Sequence, residues 1–257
     1  PLRTVATRKS NTPTSNMEIL RTVDDMRGWR ARLSQDIRVG FAPTMGNLHA
    51  GHVSLIHTAK AHADLAVASI FVNPMQFGPG EDLESYPRTL EVDLAKLQAA
   101  GADAVFIPRA EDIYPEGIDQ HTSVDVPDLT DVLCGAQRPG HFRGVTTVVS
   151  KLLGVVRPHI AFFGAKDLQQ VLVIKKMVRD LLINVEIVTV PTLRDPDGLA
   201  MSSRNGYLTP EERALAPNFA AALTACALTL QNTSSDVSET IDIAKRRSKT
   251  TALQLTT

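Results

Sequence analysis

Two histidines three residues apart, His49 and His52, bracket a glycine in Pro43-Thr44-Met45-Gly46-Asn47-Leu48-His49-Ala50-Gly51-His52. An apolar run, Ile37 to Ala42, precedes this stretch, and Val53 to Ala59 behind it has amphipathic helical spacing. The imidazoles therefore sit where a strand hands over to a helix N-terminus, where free N–H groups and the helix dipole favour a phosphate. Gly46 and Gly51 let a ligand approach the main chain. Two imidazoles there can donate hydrogen bonds to phosphate and stabilise charge building on a leaving pyrophosphate. The same residues also suit a loop whose histidines only cap it locally.

Other chemistry-bearing groups recur at strand ends. Gly164-Ala165-Lys166-Asp167 offers a lysine for phosphate oxygens and an acid for a ribose or a magnesium ion; a solvated charged cap is the alternative. Gln76, in Ser69-Ile70-Phe71-Val72-Asn73-Pro74-Met75-Gln76-Phe77, has the donors and acceptors a hydroxy acid needs, although a tight turn would look the same. Gln170 follows Lys166 by four, which places both on one side of a predicted helix. Met201-Ser202-Ser203-Arg204 brings hydroxyls and a guanidinium suited to a triphosphate, or makes a plain serine-rich turn. Arg138, His141 and Arg143 offer further positive charge, or form a solvated loop. No histidine has cysteine or acidic partners at zinc spacing.

The elements that must hold these groups read as alternating strand, loop and helix. Met17 to Leu33 has helical spacing, and strands follow at Ile37–Ala42, Leu65–Val72, Ala104–Ile107, Val124–Val126, Ile160–Phe163 and Val185–Val190. Helices are expected at Thr89–Gln98, Val145–Val156 and Lys166–Leu182, a helical turn at Leu129–Cys134, and a loop at Gly135–Gly140. Such alternation predicts an α/β fold with a doubly wound parallel sheet covered by helices. At Thr209 the composition shifts. Thr209 as N-cap, Pro210 at the first helical position and Glu212 as the capping-box acid open an alanine-rich helix to about Leu230. A linker at Asn232–Ser235, a helix at Val237–Arg247 and a polar tail complete a small, mainly helical C-terminal piece. The expected division is an extension over 1–16, a Rossmann-like domain over 17–208 and a lid segment over 209–257.

Five of these stretches, from the histidine block to Gly198-Leu199-Ala200-Met201-Ser202-Ser203-Arg204-Asn205 and including Arg138-Pro139-Gly140-His141-Phe142-Arg143-Gly144-Val145 and Phe163 to Gln170, resemble the pantothenate synthetase (pantoate–β-alanine ligase) family. The resemblance covers roughly Met17 to Thr209. It implies a nucleotidyltransferase-type Rossmann-like domain that condenses pantoate with β-alanine through a pantoyl adenylate, with ATP as substrate, Mg2+ as the ion, and a homodimer. It assigns ATP to Met45, Gly46, His49, Gly51, His52, Gly164, Lys166, Asp167, Met201, Ser202, Ser203 and Arg204. His49, His52, Lys166 and Arg204 would be catalytic; Gln76, Gln170 and Asn73 would hold pantoate or β-alanine. By resemblance Asp93 is the magnesium candidate, whereas its residues alone read as an exposed helical acid. Ala165 stands where the family carries glutamate. The family also continues into a small antiparallel sheet that closes over the nucleotide, and no β-rich run follows Val190. Slow ligation with leakage of the adenylate is the resulting expectation. An adenylyltransferase for another substrate and a non-catalytic relative are the alternatives.

Composition sets outer bounds. With 257 residues, 43% hydrophobic and 21% charged, the chain can bury a sizeable core. A net charge of −1 gives no field for nucleic acid or a membrane surface. Cys134 and Cys226 make no disulfide framework, which fits a cytoplasmic setting. No apolar run is expected to reach bilayer-spanning length. Pro1 to Asn16 is polar and without acids, transit-peptide-like in composition and expected to be a flexible extension.

Overall fold

The structure, a computed structural model, describes residues 16–232 and 236–250. The expected N-terminal extension lies almost wholly outside them, as does the tail beyond 250. The chain runs β1 (Glu18–Leu20), α1 (Val23–Ala31), β2 (Val39–Thr44), α2 (Ala50–His62), β3 (Leu65–Ile70), α3 (Leu90–Ala99), β4 (Ala104–Phe106) and α4 (Ala110–Ile113). It continues through α5 (Cys134–Gln137), α6 (His141–Val156), β5 (Ile160–Gly164), α7 (Leu168–Asp180) and β6 (Glu186–Val190). The helices α8 (Pro210–Leu215), α9 (Pro217–Asn232) and α10 (Val237–Thr250) follow. Short 3-10 turns lie at Pro74–Gln76, Ala165–Asp167 and Ser203–Tyr207.

The six strands form one parallel sheet in the order β1-β4-β3-β2-β5-β6. From β2 the chain winds outward through β3 and β4 on one side; from β5 it winds to β6 on the other. The order reverses between β2 and β5, so their carboxyl ends open a crevice where ligands bind in such sheets. Alternation along each strand feeds a core on each face. Phe41 and Phe163 pack with Met26, Trp29, Ile174 and Met177 beneath α1, α6 and α7. Ala42 and Phe162 face Leu48, Ile56 and Leu97 beneath α2 and α3.

Several expectations are corrected. Met17 to Leu33 is not one helix: Thr22 and Asp25 form a reciprocal capping box that starts α1 at Val23, and the residues before it pair with β4 as an edge strand. Val124 to Val126 joins no sheet, because the Val124 N–H donates to Thr147 Oγ1 on α6. No helix spans Leu129–Cys134; a short helix begins at Cys134 instead and runs to Gln137, into the stretch expected to be loop. Lys166 lies in a 3-10 turn and α7 begins only at Leu168, so Lys166 and Gln170 do not share one α-helix.

The Thr209–Glu212 capping box forms as expected. The helix it opens breaks at Pro217 into α8 and α9. Among the described residues no strand follows β6, only an isolated bridge between Arg194 and Ala200. Pro210–Gln231 is nevertheless long and apolar enough by composition to cross a bilayer, against the expectation that no run reaches that length. Much of its apolar character is alanine, and Pro217 interrupts it.

Candidate active site

The loop after β2 turns on two consecutive left-handed residues, Gly46 (φ 85°) and Asn47 (φ 48°). It is pinned from α3. Asp93 Oδ2 accepts the Asn47 N–H at 2.8 Å and the Thr89 hydroxyl at 3.1 Å, while Oδ1 accepts the Leu48 N–H at 2.7 Å. Asp93 is 1% exposed. It is neither the exposed helical acid its sequence position suggests nor a carboxylate with an oxygen open to the cleft. In this structure Asp93 clamps the signature loop.

That clamp delivers the two histidines. His49 is the N-cap of α2: its Nδ1 accepts the Gly51 N–H at 3.1 Å, and His52 Nδ1 accepts the His49 N–H at 3.3 Å. The imidazoles thus form a reciprocal capping box, and their rings lie 4.0 Å apart. A Cβ at Gly51 would stand 2.8 Å from the His49 ring, so only glycine lets the cap close. With both Nδ1 atoms accepting, each neutral ring carries its proton on Nε2 and keeps one N–H donor. Burial, then Lys166 and Lys96, holds His49 below the usual histidine range. Burial, then His49 and the same lysines, brings His52 down to about 3. Both stay neutral at pH 7, and the local cap leaves each ring one N–H donor.

A cleft with a cavity volume of 220 Å³ opens over this helix end, between the carboxyl ends of β2 and β5. Met45, His49, Gly51, His52, Gln76, Gly164, Lys166, Asp167, Gln170 and Met201 to Arg204 all line it. Three expected residues do not: Gly46 is a turn residue within the loop, Asp93 lies beneath it, and Asn73 is 1% exposed in a layer under Gln76. The far wall is a closed set of loops. Ser203 Oγ donates to the Asn47 carbonyl at 3.0 Å. The Arg204 guanidinium donates to both oxygens of Asp82, at 3.0 and 2.8 Å, and the Tyr207 hydroxyl joins them at 3.3 Å. Arg204 is therefore engaged by the Asp82 carboxylate. Arg138 and His141 carry little free positive charge into the cleft. Arg138 is paired with Glu81, and its Nη1 donates to His141 Nε2 at 3.2 Å. His141 Nδ1–H then donates to the Gln76 carbonyl at 2.8 Å. Burial holds His141 below its ordinary range. Together they buttress the Gln76 backbone.

Residues 18–256 match the family described as pantoate-beta-alanine ligase. The chain belongs to that family. A pantothenate synthetase of Shewanella oneidensis is 56% identical over 209 residues, 80% of this chain and 73% of the relative. A pantoate–β-alanine ligase of Schizosaccharomyces pombe is 57% identical over 204 residues, 79% of this chain and 72% of its own. The crystal structure of the Thermus thermophilus pantothenate synthetase superposes with a TM-score of 0.85 at 48% identity, covering 91% of this chain and 83% of that one. The Francisella tularensis ligase, solved with β,γ-ATP and β-alanine, gives 0.79 at 37% identity over 90% and 86% of the two chains.

In this ligase chain, the cleft also contains residues that sequence reasoning did not single out. Tyr86 is 5% exposed and packs its ring 5.8 Å from the Arg204 guanidinium. Pro191, Thr192 and Leu193 close the side beyond β6. Position at a strand's carboxyl end could have flagged the latter three. Tyr86 sits in an irregular loop, and no periodicity marks it.

Proposed function

We propose that this chain condenses pantoate with β-alanine at the expense of ATP, giving pantothenate, AMP and pyrophosphate. A pantoate carboxylate oxygen attacks the α-phosphorus; the bond to the β-phosphate oxygen breaks, and pyrophosphate leaves. The β-alanine nitrogen, as the free amine, then attacks the acyl carbon of the adenylate. AMP departs with the bridging oxygen and the nitrogen loses its proton to solvent. Neither step needs a protein nucleophile, so the side chains act by position and charge. The observation that carries this reading is the capping pair: two neutral imidazoles, each with Nε2–H free, at a helix N-terminus beside Lys166 in the switch-point cleft.

In this reading His49, His52, Lys166 and Ser202 receive the phosphates, and Arg204 joins them by exchanging its Asp82 partner for a phosphate oxygen. Gln76 and Gln170 hold pantoate. Magnesium enters with the triphosphate as part of the substrate. Asp93 has its oxygens engaged, and the described residues hold no group of three His, Cys, Asp or Glu suited to a metal. Phosphate oxygens and water supply most of the ion's ligands, as is usual for Mg2+. Residues 209–257 act as the lid segment, which Arg213 ties to the loop after β6 through Asp195 and Asp197. A homodimer, expected from the family resemblance, and a cytoplasmic setting, supported by two unpaired cysteines, complete the proposal. AMP production measured with each substrate omitted in turn tests it. AMP should require ATP and pantoate and rise steeply with β-alanine; AMP formation indifferent to pantoate would overturn the assignment.

A further inference from the structure

We propose that Tyr114, outside the cleft, is a positioning residue for acid recognition: acting through Asn73, it fixes Gln76 with its amide NH2, not its carbonyl, as the group offered to substrate. The inference rests on the reading of Gln76 as a pantoate-binding residue.

The chain of bonds leaves one orientation for each amide. The Tyr114 hydroxyl donates to Asn73 Oδ1 at 2.7 Å, and the Met75 N–H donates to the same oxygen at 3.4 Å. Asn73 Nδ2 donates to the Gly144 carbonyl at 3.1 Å and to Gln76 Oε1 at 3.2 Å. A carbonyl can only accept, so the Gly144 bond alone rules out the flipped Asn73 amide; the tyrosine hydroxyl at Oδ1 agrees. Gln76 must then use its oxygen inward. Its Nε2 is left facing Met45 Sδ at 2.9 Å, a weak acceptor that a substrate oxygen readily replaces. The cleft thus presents an amide donor to a carboxylate or hydroxyl oxygen.

The anchor is rigid. Tyr114 is 3% exposed, with the Lys151 ammonium 4.5 Å from its ring centroid and the His121 ring at 4.7 Å. Lys151 is itself fixed by donating to the Ile113 carbonyl at 2.7 Å. Burial pushes the Tyr114 hydroxyl above its usual range, so it remains a donor at any working pH. Glycine at 144 is required by the same layer: a Cβ there would fall 2.4 Å from the Met75 carbonyl oxygen, driving α6 off the Pro74–Gln76 turn.

Tyr114→Phe removes one hydroxyl from this chain and keeps the ring. Asn73 Oδ1 then loses its strong donor and keeps only the longer Met75 bond, so the amide that holds Gln76 Oε1 is less firmly seated and Gln76 is positioned less tightly. The KM for pantoate should rise about tenfold, the scale of one buried hydrogen bond, with kcat and the KM for ATP within about twofold. In a Gln76→Ala background the same change should add nothing. A Gln76→Ala variant with unchanged pantoate KM would remove Gln76 from recognition and the present inference with it. A raised KM in Gln76→Ala alongside an unaffected Tyr114→Phe would overturn the Tyr114 role alone, as would fully additive effects. Should Tyr114→Phe not fold, side-chain amide NMR of the unaltered chain decides. Adding pantoate should shift the Gln76 NH2 resonances and leave exchange-protected Asn73 NH2 protons in place; an unmoved Gln76 NH2 pair refutes the orientation.

Discussion

Replacing His52 by alanine removes two interactions with different readouts. The first is structural: the His49 N–H loses its Nδ1 acceptor, half of the imidazole capping box. Loss of an N-cap partner costs about 1 kcal/mol, which lowers Tm by about 2–4 °C for a chain of this size. The second is catalytic: the Nε2–H donor disappears from the place where pyrophosphate charge develops. Removal of one such donor costs about 3–4 kcal/mol, or on the order of a hundred- to a thousandfold in adenylation rate. The catalytic loss should therefore exceed the structural one severalfold. His49 also loses the tilted ring 4.0 Å away, so the His49→Ala, His52→Ala double variant should be far less than multiplicatively worse. Rapid-quench measurement of pyrophosphate in a single turnover reads the rate, and calorimetry reads pantoate affinity, which should hold. His52 should impose no titration on the wild-type rate from about pH 8 to about 6, because its pKa is brought down to about 3, well below the range of an ordinary imidazole. A folded His52→Ala protein that adenylates at the wild-type rate would refute the reasoning.

Further outcomes follow from the same geometry. Alanine at Gln76 or Gln170 should raise the pantoate requirement and leave ATP affinity intact by calorimetry; collapse of ATP affinity with pantoate binding preserved would reverse the assignment. Gly51→Ala places a methyl 2.8 Å from the His49 ring, so adenylation should fall toward the His49→Ala level while the fold survives in circular dichroism. Stability should depend on pH with a definite sign. His49, His52 and His141 have folded-state pKa values below that of the unfolded chain, so their contribution is complete above about pH 6.5 and is lost as pH falls below it. For His52 the loss continues toward about pH 3. Urea midpoints should decline through that window, and less steeply in His52→Ala.

How much of this was legible in the sequence depends on how local each cause is. β2, β3 and β5 are continuous apolar runs, and the Thr209–Glu212 box carries its own signature, so both read correctly from neighbours alone. Glu18–Leu20 did not, since nothing local distinguishes it from helix; it is a strand because Ala104–Phe106 offers an unpaired edge. Asp93 looked like a surface acid, and its burial comes from backbone N–H groups 45 and 46 residues earlier. Arg138 and His141 read as free positive charge because their counterparts, Glu81 and the Gln76 carbonyl, arrive from a distant loop. The histidine motif was placed correctly by its strand-to-helix context. Its tautomers could be read only once the two Nδ1 acceptors were seen.

The central claim is that the carboxylate of pantoate attacks the α-phosphorus in this cleft. Pantoate labelled with 18O in both carboxylate oxygens, turned over with ATP and β-alanine, tests it directly by mass spectrometry of the products. The account predicts one labelled oxygen in AMP and none in pyrophosphate, because the bridging acyl oxygen leaves with the nucleotide. Unlabelled AMP with label in a phosphate product other than AMP would contradict it.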